Sequence, residues 1–73
     1  MHHHDLSKRY HVQARYRDAK TLEYQDWRVT STHEEHQDAL DAFYMHLRKR
    51  MSRLNVRIYD SVEETYENPG MPR

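Results

Sequence analysis

The chain has no cysteine, one glycine and two prolines among its 73 residues. Without cysteine there is no disulfide staple, no thiol nucleophile and no thiolate for a metal. That fits a reducing compartment, and a cytoplasmic location is the expectation. The one glycine, Gly70, stands near the end of the chain. A Gly-rich phosphate cradle and a Gly-x-Ser-x-Gly nucleophile elbow are therefore both excluded. No apolar run approaches the roughly 20 residues of a membrane span, and the N-terminus has no apolar core of a secretory signal. Net charge is missing too, with 12 basic residues against 12 acidic ones. A neutral chain is a poor candidate for bulk, sequence-independent nucleic-acid binding, although a local basic patch would still bind.

What is present is charge density, at 33% charged residues, and a small set of aromatic groups. The length allows one domain with a limited core. We read residues 1–7 as a polar leader, 8–62 as the folded domain and 63–73 as an acidic tail containing Pro and Gly. His2, His3 and His4 are either native or the remnant of a purification tag, and nothing is built on them.

The organising element is a helix predicted from Thr32 to Ser52. At about 100° per residue, His33, His36, Leu40, Phe43, Tyr44, Leu47 and Met51 fall in a sector roughly 120° wide, and Leu54 extends the line. Glu34, Asp38, Ala42, Met45 and Lys49 fall on the opposite face. Ser31 and Thr32 each have a Glu three residues on, so either can head a capping box, with Thr32 the expected N-cap. Acids in the first half and Arg48, Lys49, Arg50 and Arg53 at the far end counter the helix dipole, each by about 0.3–1 kcal/mol in the terminal turns.

Strand signals flank this helix. Tyr10, Val12, Ala14 and Tyr16 alternate with His11, Gln13, Arg15 and Arg17, a period of two that marks a half-buried strand. Asp18-Ala19-Lys20 reads as a hairpin turn, or as a longer loop with a type I turn, since Ala would resist a left-handed position. A second strand is expected from Thr21 to Val29. The parity of its apolar residues changes near Gln25 and Asp26, so a β-bulge there would bring Trp27 into the core with Leu22, Tyr24 and Val29. Without the bulge, Trp27 and Val29 would lie on the outer face beside the basic row. Leu54, Val56, Ile58 and Val62 mark a third strand, and the tail reads as exposed turn. The predicted fold class is α+β: ββαβ order, a three-stranded antiparallel sheet in order 2-1-3, and one helix on one face.

Few residues assemble into chemistry. His33 and His36 would share a helix face, but the zinc-protease pattern places its second His one residue later, where Gln37 stands, and a third ligand is not evident. No metal, cofactor or catalytic residue is assigned, and the chain is expected not to be an enzyme. Two surfaces remain. One is the open sheet face, where Arg15 and Arg17 on strand one would lie beside Arg57 and Tyr59 on strand three. The other is the outer helix face, with Asp38, Asp41, Met45 and Lys49.

The expected function is a non-catalytic protein-binding module. Compact, cysteine-free, charge-dense domains are also the kind of chain that phages use to modulate or inhibit host proteins. The alternative is a nucleic-acid-binding module using Arg15, Arg17 and Arg57. Antiparallel pairing of two helices would match acidic and basic halves, so a homodimer is a third expectation. No membrane association is expected.

Overall fold

The computed structural model describes residues 4–70. Tyr10–Ala14 forms β1, Arg28–His33 β2, His36–Arg48 α1, Val56–Asp60 β3 and Thr65–Glu67 β4, with a single 3-10 turn at Arg53–Asn55. The architecture is α+β, one helix and an antiparallel sheet. The sheet has four strands in the order β2-β1-β3-β4, not the expected three in the order 2-1-3. β4 pairs Ile58 with Glu67, Tyr59 with Tyr66 and Asp60 with Thr65. Its three residues are all exposed, and so short a strand carries no readable periodicity. The acids around it resembled a solvated tail.

β1 is central because its period-two pattern supplies Val12 and Ala14 to one face, both fully buried. It meets Ile58 and Val56 directly across from β3. Tyr16 falls beyond the strand and is exposed.

The second strand begins well after the expected position, at Arg28 rather than Thr21. The hairpin forms through the longer of the two expected connections, a loop anchored by Asp18. Its carboxylate accepts from the Lys20 and Thr21 amides at 2.7 and 2.9 Å, and Leu22 takes a left-handed conformation at φ 63°. One bridge, Arg17 to Tyr24, closes the loop. Leu22 and Tyr24 are exposed rather than in the core. A bulge exists, but not near Gln25. Val12 pairs with Ser31 and Gln13 with Val29, so Thr30 is the extra residue. Trp27 therefore stays out of the core.

The Val29-to-Thr32 run that β2 uses is rich in β-branched residues, which fit a pleated surface. Pairing with β1 wins over the capping box, and Ser31 and Thr32 do not cap the helix. The N-cap is Glu35, without a side-chain cap bond. The helix also ends early, at Arg48. Arg50 adopts φ 67°, and the Arg50 and Met51 amides donate to the Leu47 and His46 carbonyls at 3.0 and 3.2 Å. This is the Schellman closure, made here with Arg in the left-handed position that glycine usually holds.

The face that α1 lays on the sheet is centred on Ala39 and Phe43. Leu40, Ala42, Leu47 and Met51 pack at the margins. Ala42, expected on the outer face, packs inward, while Tyr44 and Leu54 are exposed. Ala39 and Phe43 hold the contact line, and the partly buried apolar groups lie to either side. Phe43, Ile58, Val12 and Val56 are the largest fully buried side chains, each contributing about 1.5–3 kcal/mol of gross burial energy.

Both ends of the described chain are tied to this frame. The ring Nε2 of His11, a buried residue, is bonded to the Leu6 and Lys8 carbonyls at 3.1 and 2.9 Å. After β4, the Asn68 amide donates to the Arg53 and Val56 carbonyls at 2.7 and 3.1 Å. Arg53 donates to the Pro69 carbonyl at 3.2 Å. No helix among the described residues is long and apolar enough to cross a membrane.

Candidate binding face

Successive residues of a strand point to opposite sides of the sheet. Because Val12, Ala14, Val56 and Ile58 are buried under α1, His11, Gln13, Arg15, Arg57 and Tyr59 project to the other side. Tyr66 joins them as the partner of Tyr59. The helix covers only one face; on this second face the segment around Leu6 and Lys8 closes over His11, and no helix lies over the rest.

Trp27 and Tyr24, both from the loop before β2, complete a connected strip. The Arg57 guanidinium stands 4.0 Å from the Trp27 ring centroid and 3.9 Å from that of Tyr66. Arg15 stands 5.0 Å from Trp27 and 4.4 Å from Tyr24. At one end Arg17 lies 5.8 Å from Tyr24. At the other, Tyr66 packs on Tyr59 at 5.1 Å and Tyr59 on His11 at 5.6 Å. Cations over ring faces at these distances are held by the ring quadrupole.

Hydrogen bonds fix the guanidiniums further. Arg57 Nε donates to Gln13 Oε1 at 2.7 Å, and Arg15 Nε to Asn55 Oδ1 at 3.1 Å. Arg17 Nε donates to the Leu22 carbonyl at 2.7 Å. Among the described residues, the terminal nitrogens of these three groups have no side-chain hydrogen-bond partner. Burial pushes the Arg57 pKa down, with Arg15 nearby adding to the effect and Tyr66 opposing it. Arginine stays charged through such a shift.

The strand-borne charge on this face is of one sign. The strand carboxylates are Asp60 and Glu67, and both fall in phase with Ile58, on the helix side. Asp60 is held by the Arg9 guanidinium at 3.0 and 2.9 Å. Glu67 accepts from His36 Nε2 at 2.8 Å. The chain is neutral overall, but its sheet is polarised.

The other anticipated residues lie elsewhere. Asp38, Asp41 and Met45 are exposed on α1, on the turn faces opposite Ala39 and Phe43, and Lys49 is the C-cap. The fold does not bring them to the sheet strip. Asp41 accepts from Gln37 at 3.1 Å, one turn back. His33 and His36, considered as a ligand pair, sit on different elements: His33 ends β2 and bonds Ser31 at 2.8 Å, and His36 opens α1 beside Tyr10. Sequence reasoning did not place Trp27, Tyr24 or Tyr66 on the strip. Without a bulge near Gln25, the parity of Trp27 already pointed outward, whereas nothing in a three-residue strand marks Tyr66.

No family model matches this chain, and neither a curated protein nor a solved structure matches it. Its own residues therefore carry the functional reading.

Proposed function

We propose that this chain is a non-catalytic protein-binding module that works through the open face of its sheet. One observation carries the reading: the Arg15–Trp27–Arg57–Tyr66 stack lies on the sheet face opposite the helix. Trp, Tyr and Arg are the residues most enriched at interface hot spots, and rigid side chains lose little entropy on binding. These side chains are immobilised in advance by stacking and by their Nε hydrogen bonds.

The outer helix face is the weaker surface. Its acids complement the helix N-terminus and its bases the C-terminus. That leaves Met45 as a lone apolar residue among charges, and single exposed apolar groups are ordinary. A homodimer through this face predicts a mass of two chains by light scattering at micromolar concentration.

Nucleic acid is the second reading, favoured by the absence of strand carboxylates beside three arginines. The test runs both arms. Proteins retained from a lysate by the immobilised chain are quantified against Trp27→Ala and Arg57→Ala variants, with Asp38→Lys/Asp41→Lys as the helix control. A protein lost with both sheet variants and kept by the helix variant supports the reading; equal retention by all overturns it. A mobility shift with short RNA or DNA that fades in Arg15→Ala/Arg57→Ala transfers the function to the alternative.

A further inference from the structure

We infer that the partner's contacting element is an extended acidic segment, two of whose carboxylates seat on Arg15 and Arg57 across Trp27. This rests on the open face being the protein-binding surface, and it names what that surface takes.

The two guanidinium carbons stand over one indole, 5.0 and 4.0 Å from its centroid. They are therefore within roughly 9 Å of each other, a span that accommodates the ~7 Å between alternate side chains of an extended chain. Each Nε is committed, to Asn55 and to Gln13. What each group keeps without a side-chain hydrogen bond is its pair of terminal nitrogens, the edge that grips a carboxylate. Two like charges on one ring repel, and the Arg15 charge acts against that of Arg57. An anion on each relieves that repulsion.

The ring faces argue against bases as the occupant. A single-stranded nucleic-acid platform works by leaving aromatic faces free for stacking. Here Trp27, Tyr24 and Tyr66 each already carry at least one guanidinium. Nor does a neutral chain create the long-range field that gathers a polyanion. Three arginines with a local fit suit a short run of carboxylates better than a phosphate backbone.

Trp27 is the only tryptophan in the chain, so its emission reports the site directly. The probes are a short blocked peptide of alternating Thr and Glu, its Thr-Gln counterpart and a short oligo-dT. The Thr-Glu peptide is expected to shift Trp27 emission saturably, and the Thr-Gln peptide to bind at least about tenfold more weakly, as loss of charged hydrogen bonds requires. Arg15→Gln/Arg57→Gln is expected to abolish the response. Arg57→Lys, which keeps the charge and loses the fork, is expected to weaken it. Far-UV circular dichroism confirms that each variant is folded.

Equal binding of the Gln peptide, tighter binding of oligo-dT, or no response to the Glu peptide each overturns the acidic-segment assignment. The broader protein-binding reading fails separately, if proteins retained by the chain are unaffected by Trp27→Ala and Arg57→Ala.

Discussion

The Arg57 guanidinium lies between two aromatic rings from distant parts of the chain, 4.0 Å from Trp27 and 3.9 Å from Tyr66. Trp27 comes from the loop before β2, and Tyr66 from the strand at the opposite edge of the sheet. One side chain thus ties together two segments that backbone pairing leaves apart. A double-mutant cycle on Trp27→Ala and Arg57→Ala, read by urea denaturation, should give a coupling energy of about 0.5–1 kcal/mol, the range for partly exposed cation–π pairs. Purely additive effects would show that the stack contributes nothing to stability.

A second prediction concerns backbone strain. The chain has a single glycine, yet Leu22, Arg50 and Glu64 all adopt positive φ. Arg50 holds the left-handed position of the Schellman closure, where an L side chain costs roughly 1–2 kcal/mol. Glycine removes that cost and returns part of it as unfolded-state entropy. Arg50→Gly should therefore stabilise the fold by about 0.5–1 kcal/mol, a Tm gain of roughly 2–8 °C for a domain this small. Arg50→Ala keeps the strain and should gain nothing, so equal gains from both variants would contradict this account.

The helix, its approximate position and the facing strands were legible because each rests on sustained periodicity. Val12, Ala14, Val56 and Ile58 announce their face by alternation, and Phe43 by its place in the 3.6-residue pattern. The boundaries were not legible. Ser31 and Thr32 fit a capping box and a strand equally well in isolation, and only the presence of β1 as a partner decides between them. Trp27 was drawn toward the core by its size. The core is already filled by Val12, Ala39, Phe43, Val56 and Ile58, and that filling emerges only when helix and sheet are assembled. Arg57 was readable from β3; Arg15 and Arg17, expected on strand one, follow its end at Ala14, and only the continued alternation marked them. The rings that hold them come from a loop and a three-residue strand without periodic signal.

Asp60 supplies a prediction in acid. Its carboxylate is bound by Arg9, and it also accepts from the Val62 and Glu63 amides at 3.0 and 3.2 Å. The Arg9 hydrogen bonds chiefly, aided by those amides, lower its pKa from 3.8 to about 2. A carboxylate whose folded pKa is depressed stabilises the fold above its unfolded pKa, and that contribution is lost as pH falls through the folded value. The Tm gap between the wild type and Asp60→Asn should hold steady near neutrality and close between about pH 4 and pH 2. A gap that persists at the acid end would mean that the charge is not what Arg9 and the turn amides recognise.

His46 gives the opposite residue type and the same direction of pH dependence, at a higher pH. Thr30, the extra residue of the β2 bulge, donates its hydroxyl to the Val12 carbonyl at 3.2 Å and pairs with His46 Nε2 at 2.9 Å. With the hydroxyl proton committed to Val12, the ring Nε2–H is the donor to Thr30, which leaves Nδ1 as the site that gains a proton in acid. Burial, and then the nearby Lys49 charge, lower the His46 pKa from 6.5. The unfolded chain therefore takes up this proton before the folded one does. The stability that neutral His46 contributes is present above the unfolded pKa and declines as pH drops below it. Tm should fall between about pH 7.5 and pH 5.5, and His46→Gln, which cannot titrate, should fall less over the same interval. Lys49→Ala should also flatten the slope, by removing the charge that opposes protonation. The measurement compares the slope of the wild type with the slope of each variant. Identical slopes in the wild type and His46→Gln would show that the bulge is joined to the helix without regard to the charge on this ring.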